Sequence, residues 1–354
     1  MRVLVAMSGG VDSSVAAALL VQAGEEVVGV TMKLWGGPSD SGCCSVSDVD
    51  DARRVAQQLG IAHHVFNFSE EFDRHVVEPY VAQHAAGHTP NPCVECNRHL
   101  KFDRLLVRAA QLGFDAVATG HHAQVGIGPA GTWVLRRGAD SAKDQSYVLH
   151  MLTQDQLARV RFPVGHLLKS DVRQVAAQLG LRTAAKPDSQ DVCFISKSGG
   201  REAFLGERIG MHPAKVIDGS GTVVGHVPSV HLVTVGQRKH LGAPTVAGAQ
   251  GMSSNTAERT YAVDVDVPGA TVTVGPLEQL LCRRIEVRDP VWSDEPPADG
   301  EDLEVQLSAH GRPAAATWTV DGAVLVESPV RRVAPGQSVV LYRGDAVVGG
   351  GVAV

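Results

Sequence analysis

Apolar positions along the first 120 residues follow two alternating rhythms. Short β-rich runs, "RVLVAM" (2–7), "EVVGVTM" (26–32), "HHVFNF" (63–68) and "DAVATG" (115–120), predict buried strands. Between them lie stretches of helix formers: "SSVAAALLVQAG" (13–24) and "VDDARRVAQQLG" (49–60), each stopped by a glycine, and a third from Glu70 to about Ala86. "RHLKFDRLLVRAAQLG" (98–113) spaces Leu100, Leu105, Leu106, Ala109 and Leu112 along one helical face. Such alternation predicts an α/β domain, a Rossmann-like parallel sheet with helices on both faces. Sheets of this kind bind ligands beyond the carboxyl ends of their strands.

From about Ala214 the pattern changes to short strands. "AKVID-GSG-TVVGH" reads as a hairpin, and "ERTYAVDVDVPGATVTVG" as alternating strands about a Pro-Gly turn. "EDLEVQLS", "AAATWTV", "AVLVES" and "SVVLYRGDAVVGGGVAV" carry the strand pattern on to Val354. The acidic, Pro-rich "DPVWSDEPPADGED" (289–302) reads as a connector. The expected division is an α/β domain over 1–204, a small central β-rich domain over 205–280 and a β-barrel-like domain over 281–354.

Composition narrows the classes. With 44% hydrophobic and 20% charged residues, the 354-residue chain can bury a sizeable core and is not a disordered one. No apolar run approaches the ~20 residues that span a bilayer. "VLVAM" is too short for the apolar region of a secretory signal, so the expected location is cytoplasmic, away from any membrane. The net charge of −6 conceals a pattern. Residues 1–100 carry 6 Lys/Arg against 12 Asp/Glu, 101–250 carry 18 against 11, and 251–354 carry 8 against 15. The middle of the chain is basic between acidic flanks, the local balance that a phosphate backbone requires.

"AMSGGVDSS" (6–14) joins the first strand to the first helix. Two glycines let the backbone turn tightly, Ser8, Ser13 and Ser14 supply hydroxyls, and the helix N-terminus adds partial positive charge. The loop lacks the Gly-Lys-Ser/Thr of Walker loops and the dinucleotide G-x-G-x-x-G. Ser-Gly-Gly-x-Asp-Ser instead resembles the ATP pyrophosphatase ("PP-loop") superfamily, of HUP-type fold, whose members adenylate a substrate. Asp12 is the candidate ligand for the Mg2+ that accompanies ATP.

Six cysteines, at 43, 44, 93, 96, 193 and 282, are too few for a disulfide scaffold and suggest chemistry or metal. Cys93 and Cys96 share a Cys-x-x-Cys motif. Cys96 is placed just before the 98–113 helix, with Arg98 and Lys101 near the first turn, where a thiolate is favoured. Cys282 in "QLLCRRIEV" reads as a small buried hydrophobe. Cys43 and Cys44 carry no assignment.

The chain resembles the tRNA-specific 2-thiouridylases. The resemblance takes in "SGGVDSS", "TPNPCVECNRHLKF" (89–102), "ATGHHA" (118–123), "KDQSYVL" (143–149), "KPDSQDVCFI" (186–195), "GQRKHLG" (236–242) and "GGG" (349–351), in family order along the chain. It implies Cys96 as nucleophile and Cys193 as the persulfide carrier, with a Cys96–Cys193 disulfide left after transfer. It implies ATP at Ala6, Met7, Ser8, Gly9, Gly10, Val11, Asp12, Ser13, Met32 and Gly120. Asn91, Pro92, Cys93, Lys143, Asp144 and Gln145 would contact tRNA, the wobble-uridine tRNAs for Lys, Glu and Gln. The sulfur donor would be a cysteine desulfurase or a relay protein.

Two positions depart from the family pattern. Many members carry Asp where this chain has Cys93, and a thiol is a weaker acceptor with a much higher pKa. The loop that is commonly rich in Arg and Tyr reads here "QLSAHGRP" (306–313), with Arg312. Alternatives to the persulfide reading are an iron–sulfur cluster on Cys93, Cys96 and Cys193, another PP-loop adenylating enzyme, and a tRNA-binding protein with a regulatory nucleotide site.

Overall fold

The computed structural model describes residues 1–35, 45–188, 192–195, 199–242 and 259–354; Cys43 and Cys44 lie outside them. The first sheet is parallel throughout. Strands β1 (Arg2–Ala6), β2 (Glu26–Lys33), β3 (Ala62–Asn67), β4 (Ala116–Ala118) and, further along the chain, Val160–Arg161 stand in the order β3-β2-β1-β4 followed by Val160–Arg161. The order reverses between β1 and β4, which opens the crevice where doubly wound sheets take ligands. Within β1 the side chains alternate: Val3 and Val5 join the apolar cluster of α1 (Val11–Gln22) and α2 (Val46–Gln58). Leu4 joins the opposite cluster, with Phe72, Tyr80, Leu100 and Leu105. Both faces are therefore buried at β1, in the middle of the sheet, while the edge strand β3 stays partly exposed.

Two helices cover that second face, and both depart from regular α winding. Residues 69–85 form one helix whose middle, Asp73–Val77, has the wider π form. Pro79 lies one turn on; lacking an N–H and clashing with the carbonyl four residues earlier, it favours that widening. Residues 92–111 form the second, wound as π over Cys96–Arg104. The sequence places its start near Arg98. The true start is Pro92, capped by Asn91, whose side chain accepts from the Cys93 N–H at 3.1 Å. Cys96 is thus a turn inside the helix, and the terminal position expected for it belongs to Cys93.

The central sheet has four strands in the order Tyr261–Asp266, Thr271–Gly275, Ala214–Ile217, Val223–Val227. The two expected hairpins are present and join through a parallel pairing of Thr271–Gly275 with Ala214–Ile217. Beyond it, six strands close into a barrel: Leu281–Trp292, Ala323–Arg331, Ala314–Thr319, Asp302–Gln306, Ser338–Arg343 and Ala346–Ala353, the last pairing back with the first. The expected connector at 289–302 begins in strand: Asp289–Trp292 complete Leu281–Trp292 after a register shift at Arg288/Val291. The "GGG" lies at this closure. A Cβ on Gly349, Gly350 or Gly351 would collide with the carbonyls of Val291, Val339 or Arg288. Cys282 is half-buried against the barrel core, and burial pushes its thiol up.

A hairpin of β5 (Ala123–Ile127) and β6 (Trp133–Arg137), inserted after β4, is hydrogen-bonded to the barrel rather than to the first sheet, through Ala346↔Arg136. Arg137 stacks its guanidinium 3.6 Å from the Tyr342 ring centre and donates to Gln306 at 2.7 Å. Tyr147 donates to the Ser338 carbonyl at 2.8 Å. Among the described residues, no helix is long and apolar enough to cross a membrane.

Candidate active site

The "AMSGGVDSS" segment leaves β1 and enters α1 at Val11, with Gly10 as the N-cap. Gly9 has φ +73°, and a Cβ there would collide with the backbone of Asp48 at the start of α2. Only glycine permits that approach. The expected hydroxyl donors divide. Ser14 is fully buried and turns inward to donate to the Gly10 carbonyl at 2.8 Å. Ser13 accepts from the Ser8 N–H at 3.2 Å and donates to Gly10. Ser8 is exposed on the mouth of the loop. Ser13 and Ser14 thus hold the loop's shape, leaving the Ser8 hydroxyl, backbone amides and the start of α1 as its anion-facing donors.

Gly120, just past β4, presses on the same loop: a Cβ would lie 2.5 Å from the Ser13 nitrogen and 2.6 Å from the Asp12 carbonyl carbon. Met32 is nearly buried at the end of β2, where Thr31 donates to the Met7 carbonyl at 2.8 Å. The positions 6–13, Met32 and Gly120, picked from the sequence, therefore converge at the carboxyl ends of adjacent strands.

Two lysines that the sequence does not single out stand at this loop. Lys169, 9% exposed at the start of the helix Lys169–Gln178, places Nζ 2.6 Å from both Asp12 oxygens and 3.0 Å from Asp188. Lys186 donates to the Gly9 carbonyl at 2.9 Å and pairs with Asp48 at 2.6 Å and Asp51 at 2.7 Å. Burial alone would raise the Asp12 carboxyl; hydrogen bonds from His122 (3.1 Å) and Lys169 outweigh it and hold the group below its usual range. Asp188 behaves likewise. Burial opposes its charge, but Lys143 and Lys169 bring it down to about 2, and Arg173 pairs with it at 2.7 Å. Lys186 could have been suspected from "KPDSQDVCFI", whereas nothing local distinguishes Lys169.

Of the residues expected at tRNA, Lys143 pairs with Asp188 at 2.8 Å. Asp144 is committed internally: its carboxylate accepts from the Gly138 and Ser146 amides, the Ser146 hydroxyl and Arg137. Gln145 accepts from the His122 N–H at 2.9 Å. Pro92 is buried at the first helical position, and Asn91 lines a small cleft, with Val94 and Arg98, between the 92–111 helix and the barrel. Arg312 is exposed.

Cys96 is 8% exposed in the apolar cluster beneath the sheet. Cys193 is half-buried and packs on that same cluster, beside Phe194. Cys93 is exposed. Among the described residues, no three of His, Cys, Asp or Glu gather in a way that could hold a metal ion, so Cys93, Cys96 and Cys193 do not form a ligand set here.

A glycine-rich amide loop at the switch point of a parallel sheet, with two lysines beside it, makes an anion site that fits the phosphates of the ATP implied by the PP-loop resemblance. Residues 1–197 match the family model "tRNA methyl transferase HUP domain", and 282–353 match "Aminomethyltransferase beta-barrel domain". The tRNA-specific 2-thiouridylase MnmA of Mycolicibacterium smegmatis is 47% identical over 357 residues, 98% of this chain and 96% of that protein. The enzyme of the same name from Cutibacterium acnes is 46% identical over 359 residues, 99% and 95% of the two chains. Among solved structures, a 4-thiouridine synthetase–RNA complex with bound ATP is 18% identical over 54% of this chain and 44% of its own, with a TM-score of 0.35. The chain belongs to the tRNA-specific 2-thiouridylase family.

Proposed function

We propose that this chain uses ATP to place sulfur at C2 of the wobble uridine of tRNA, forming 2-thiouridine and releasing AMP and pyrophosphate. One observation carries the assignment of residues. Lys186 and Asp188 are ion-paired into the surroundings of the phosphate loop, and Cys193 follows them on the same short segment. Cys193 also packs on the cluster that buries Cys96. Nucleotide and sulfur carrier are thereby tied to one piece of chain.

Residues 6–13, Met32 and Gly120 frame ATP, and Lys169 and Lys186, bonded to Asp12 and Gly9 of the loop, supply cations for its phosphates. Mg2+ keeps most of its waters and uses one or two carboxylates besides phosphate oxygens. Asp12 fits that single-carboxylate role once the nucleotide draws Lys169 towards its own charge. A uridine C2 carbonyl is a poor electrophile because its oxygen is a poor leaving group. Attack of that oxygen on the α-phosphate expels pyrophosphate and turns its later departure into loss of AMP. Amides and lysines stabilise the charge that develops on phosphorus.

The terminal sulfur of a Cys193 persulfide then attacks C2. Cys96 attacks the Cys193 Sγ, frees the transferred sulfur and closes a Cys96–Cys193 disulfide while AMP leaves. Asn91, Cys93, Lys143 and Gln145 form the tRNA-facing set, with buried Pro92 and the internally bonded Asp144 holding their backbone in place, for the wobble-uridine tRNAs of Lys, Glu and Gln. A cysteine desulfurase or a relay protein of the cytoplasm loads Cys193. The limits 1–204, 205–280 and 281–354 are the working domain division. The test is formation of 2-thiouridine on unmodified tRNA, with pyrophosphate release and strict dependence on ATP. Cys96→Ser and Cys193→Ser are each expected to abolish thiolation; full activity in either removes the persulfide route.

A further inference from the structure

We infer that Cys93 and Cys96 form a redox pair in which Cys93 resolves the disulfide left by each round of thiolation. The inference rests on the persulfide reading of Cys96 and Cys193. Four features of the fold lead to it.

Cys93 and Cys96 lie three residues apart in the first turns of one continuous helix, 92–111. Residues so spaced share a face, and helical rise and radius put their Cα atoms ~5 Å apart, within the roughly 4.4–6.8 Å that a disulfide spans. The two thiols are unequal in access: Cys93 is exposed, while Cys96 is 8% exposed within an apolar cluster. The first turn is held from outside the pair, by the Asn91 cap on the Cys93 N–H and by buried Pro92. From Cys96 onwards the winding widens to π, so the backbone changes pitch at the buried member of the pair. Such widened turns recur at functional positions.

The chemistry requires a resolving step. A Cys96–Cys193 disulfide is two electrons more oxidised than the dithiol, and Cys193 cannot be loaded again until it is released. A bulky protein reductant meets Cys96 behind the apolar wall that buries it. The Cys93 thiolate, having given its proton to solvent, attacks the Cys96 Sγ from the neighbouring turn. A Cys93–Cys96 bond forms, the Cys96–Cys193 bond breaks, and Cys193 leaves as a thiolate. This exchange is redox-neutral. An external dithiol of the thioredoxin type then attacks the exposed Cys93 sulfur and is itself oxidised to a disulfide. Its two electrons restore both cysteines, and the pair is ready for the next transfer.

The decisive experiment is one turnover of the full chain without reductant, with Cys193 loaded as persulfide and ATP and unmodified tRNA supplied. The quench is an alkylating agent, followed by disulfide mapping by mass spectrometry. The expected product is a Cys93–Cys96 disulfide with Cys193 alkylated. A Cys96–Cys193 disulfide alone, with Cys93 alkylated, overturns the inference. In Cys93→Ser the Cys96–Cys193 disulfide is expected to accumulate. Its steady-state rate with a thioredoxin-type dithiol, divided by its own single-turnover rate, should fall at least about tenfold below the wild-type ratio. An unchanged ratio also overturns it. Failure of the underlying persulfide reading looks different: wild-type protein that thiolates tRNA and yields no disulfide among these three cysteines overturns both.

Discussion

Gly120 and Lys186 show how single residues set the nucleotide loop. A methyl at Gly120 would meet backbone atoms of Asp12 and Ser13, which cannot step aside as a flexible side chain can. Gly120→Ala is expected to weaken ATP binding at least about tenfold by calorimetry, because the loop amides must shift to admit it. Lys186 ties Gly9 to Asp48 and Asp51, and burial of the lysine is outweighed by those two carboxylates, so its ammonium is held charged. Lys186→Met leaves Asp48 without its cation beside an incoming triphosphate, while Asp51 keeps Arg182. The KM for ATP should rise about tenfold, and Lys186→Arg should recover only part of the loss, since a guanidinium does not reproduce a compact three-donor ammonium. An unchanged KM in the Met variant would remove Lys186 from the site.

At the scale of elements, β1 to β4 of the first sheet are readable within a residue or two because β-rich apolar runs have few other uses, whereas the two-residue strand Val160–Arg161 is too short to carry a pattern and is not. Nor is the start of the 92–111 helix. Asn91-Pro92 is a capping residue followed by proline at the first helical position, a start signal that lies a turn and a half ahead of the apolar periodicity of 98–113. The misplacement mattered, because it put Cys96 at a helix terminus that Cys93 occupies. Asn91→Ala should cost about 1 kcal/mol, seen in chemical denaturation together with faster amide exchange at Cys93 and Val94. Asn91→Ser should restore most of it, as a serine hydroxyl can accept the same N–H.

Across the whole molecule, the barrel is docked on the α/β domain by the β5–β6 hairpin and the 143–150 segment. Arg137 is central to that contact: it stacks on Tyr342 and bonds Gln306 and Asp144. Arg137→Ala should destabilise the protein on the order of 2 kcal/mol, read as a lowered midpoint in urea. Docking also confers acid sensitivity. His150 is buried against Gly350 of the barrel, and burial brings it down to about 4. His84, beside Arg201 and His231 of the turn Val230–Leu232, is likewise brought down to about 4 by burial, and His121 is lowered too.

Each of these histidines is neutral when folded, while in the unfolded chain it charges below about 6.5. Their stabilisation is therefore complete above that pH and is lost as pH falls towards 4, on the order of 2–3 kcal/mol for each of His84 and His150. Asp12 and Asp188 keep their charge to much lower pH, so they do not account for a transition in this window. Unfolding midpoints measured between pH 7 and 4.5 should fall with pH, and His150→Gln should flatten the slope. A slope unchanged in that variant would separate His150 from the effect.

The sequence by itself determined what is local: the alternation that makes the parallel sheet, the glycine-serine loop between β1 and α1, the short strands of the two β regions, and the thiols available for chemistry. Each depends on neighbours a few residues away, so pattern and residue type suffice. Only the tertiary structure decided which distant groups meet. Lys169 and Lys186 reach the loop from more than 150 positions along the chain. Asp144 is spent holding its own turn, and β5–β6 leaves its domain to pair with the barrel. Ion pairs, close backbone contacts at glycine and strand additions carry no local period. They become legible only when folding has brought the charges, the missing Cβ atoms and the open strand edge into contact.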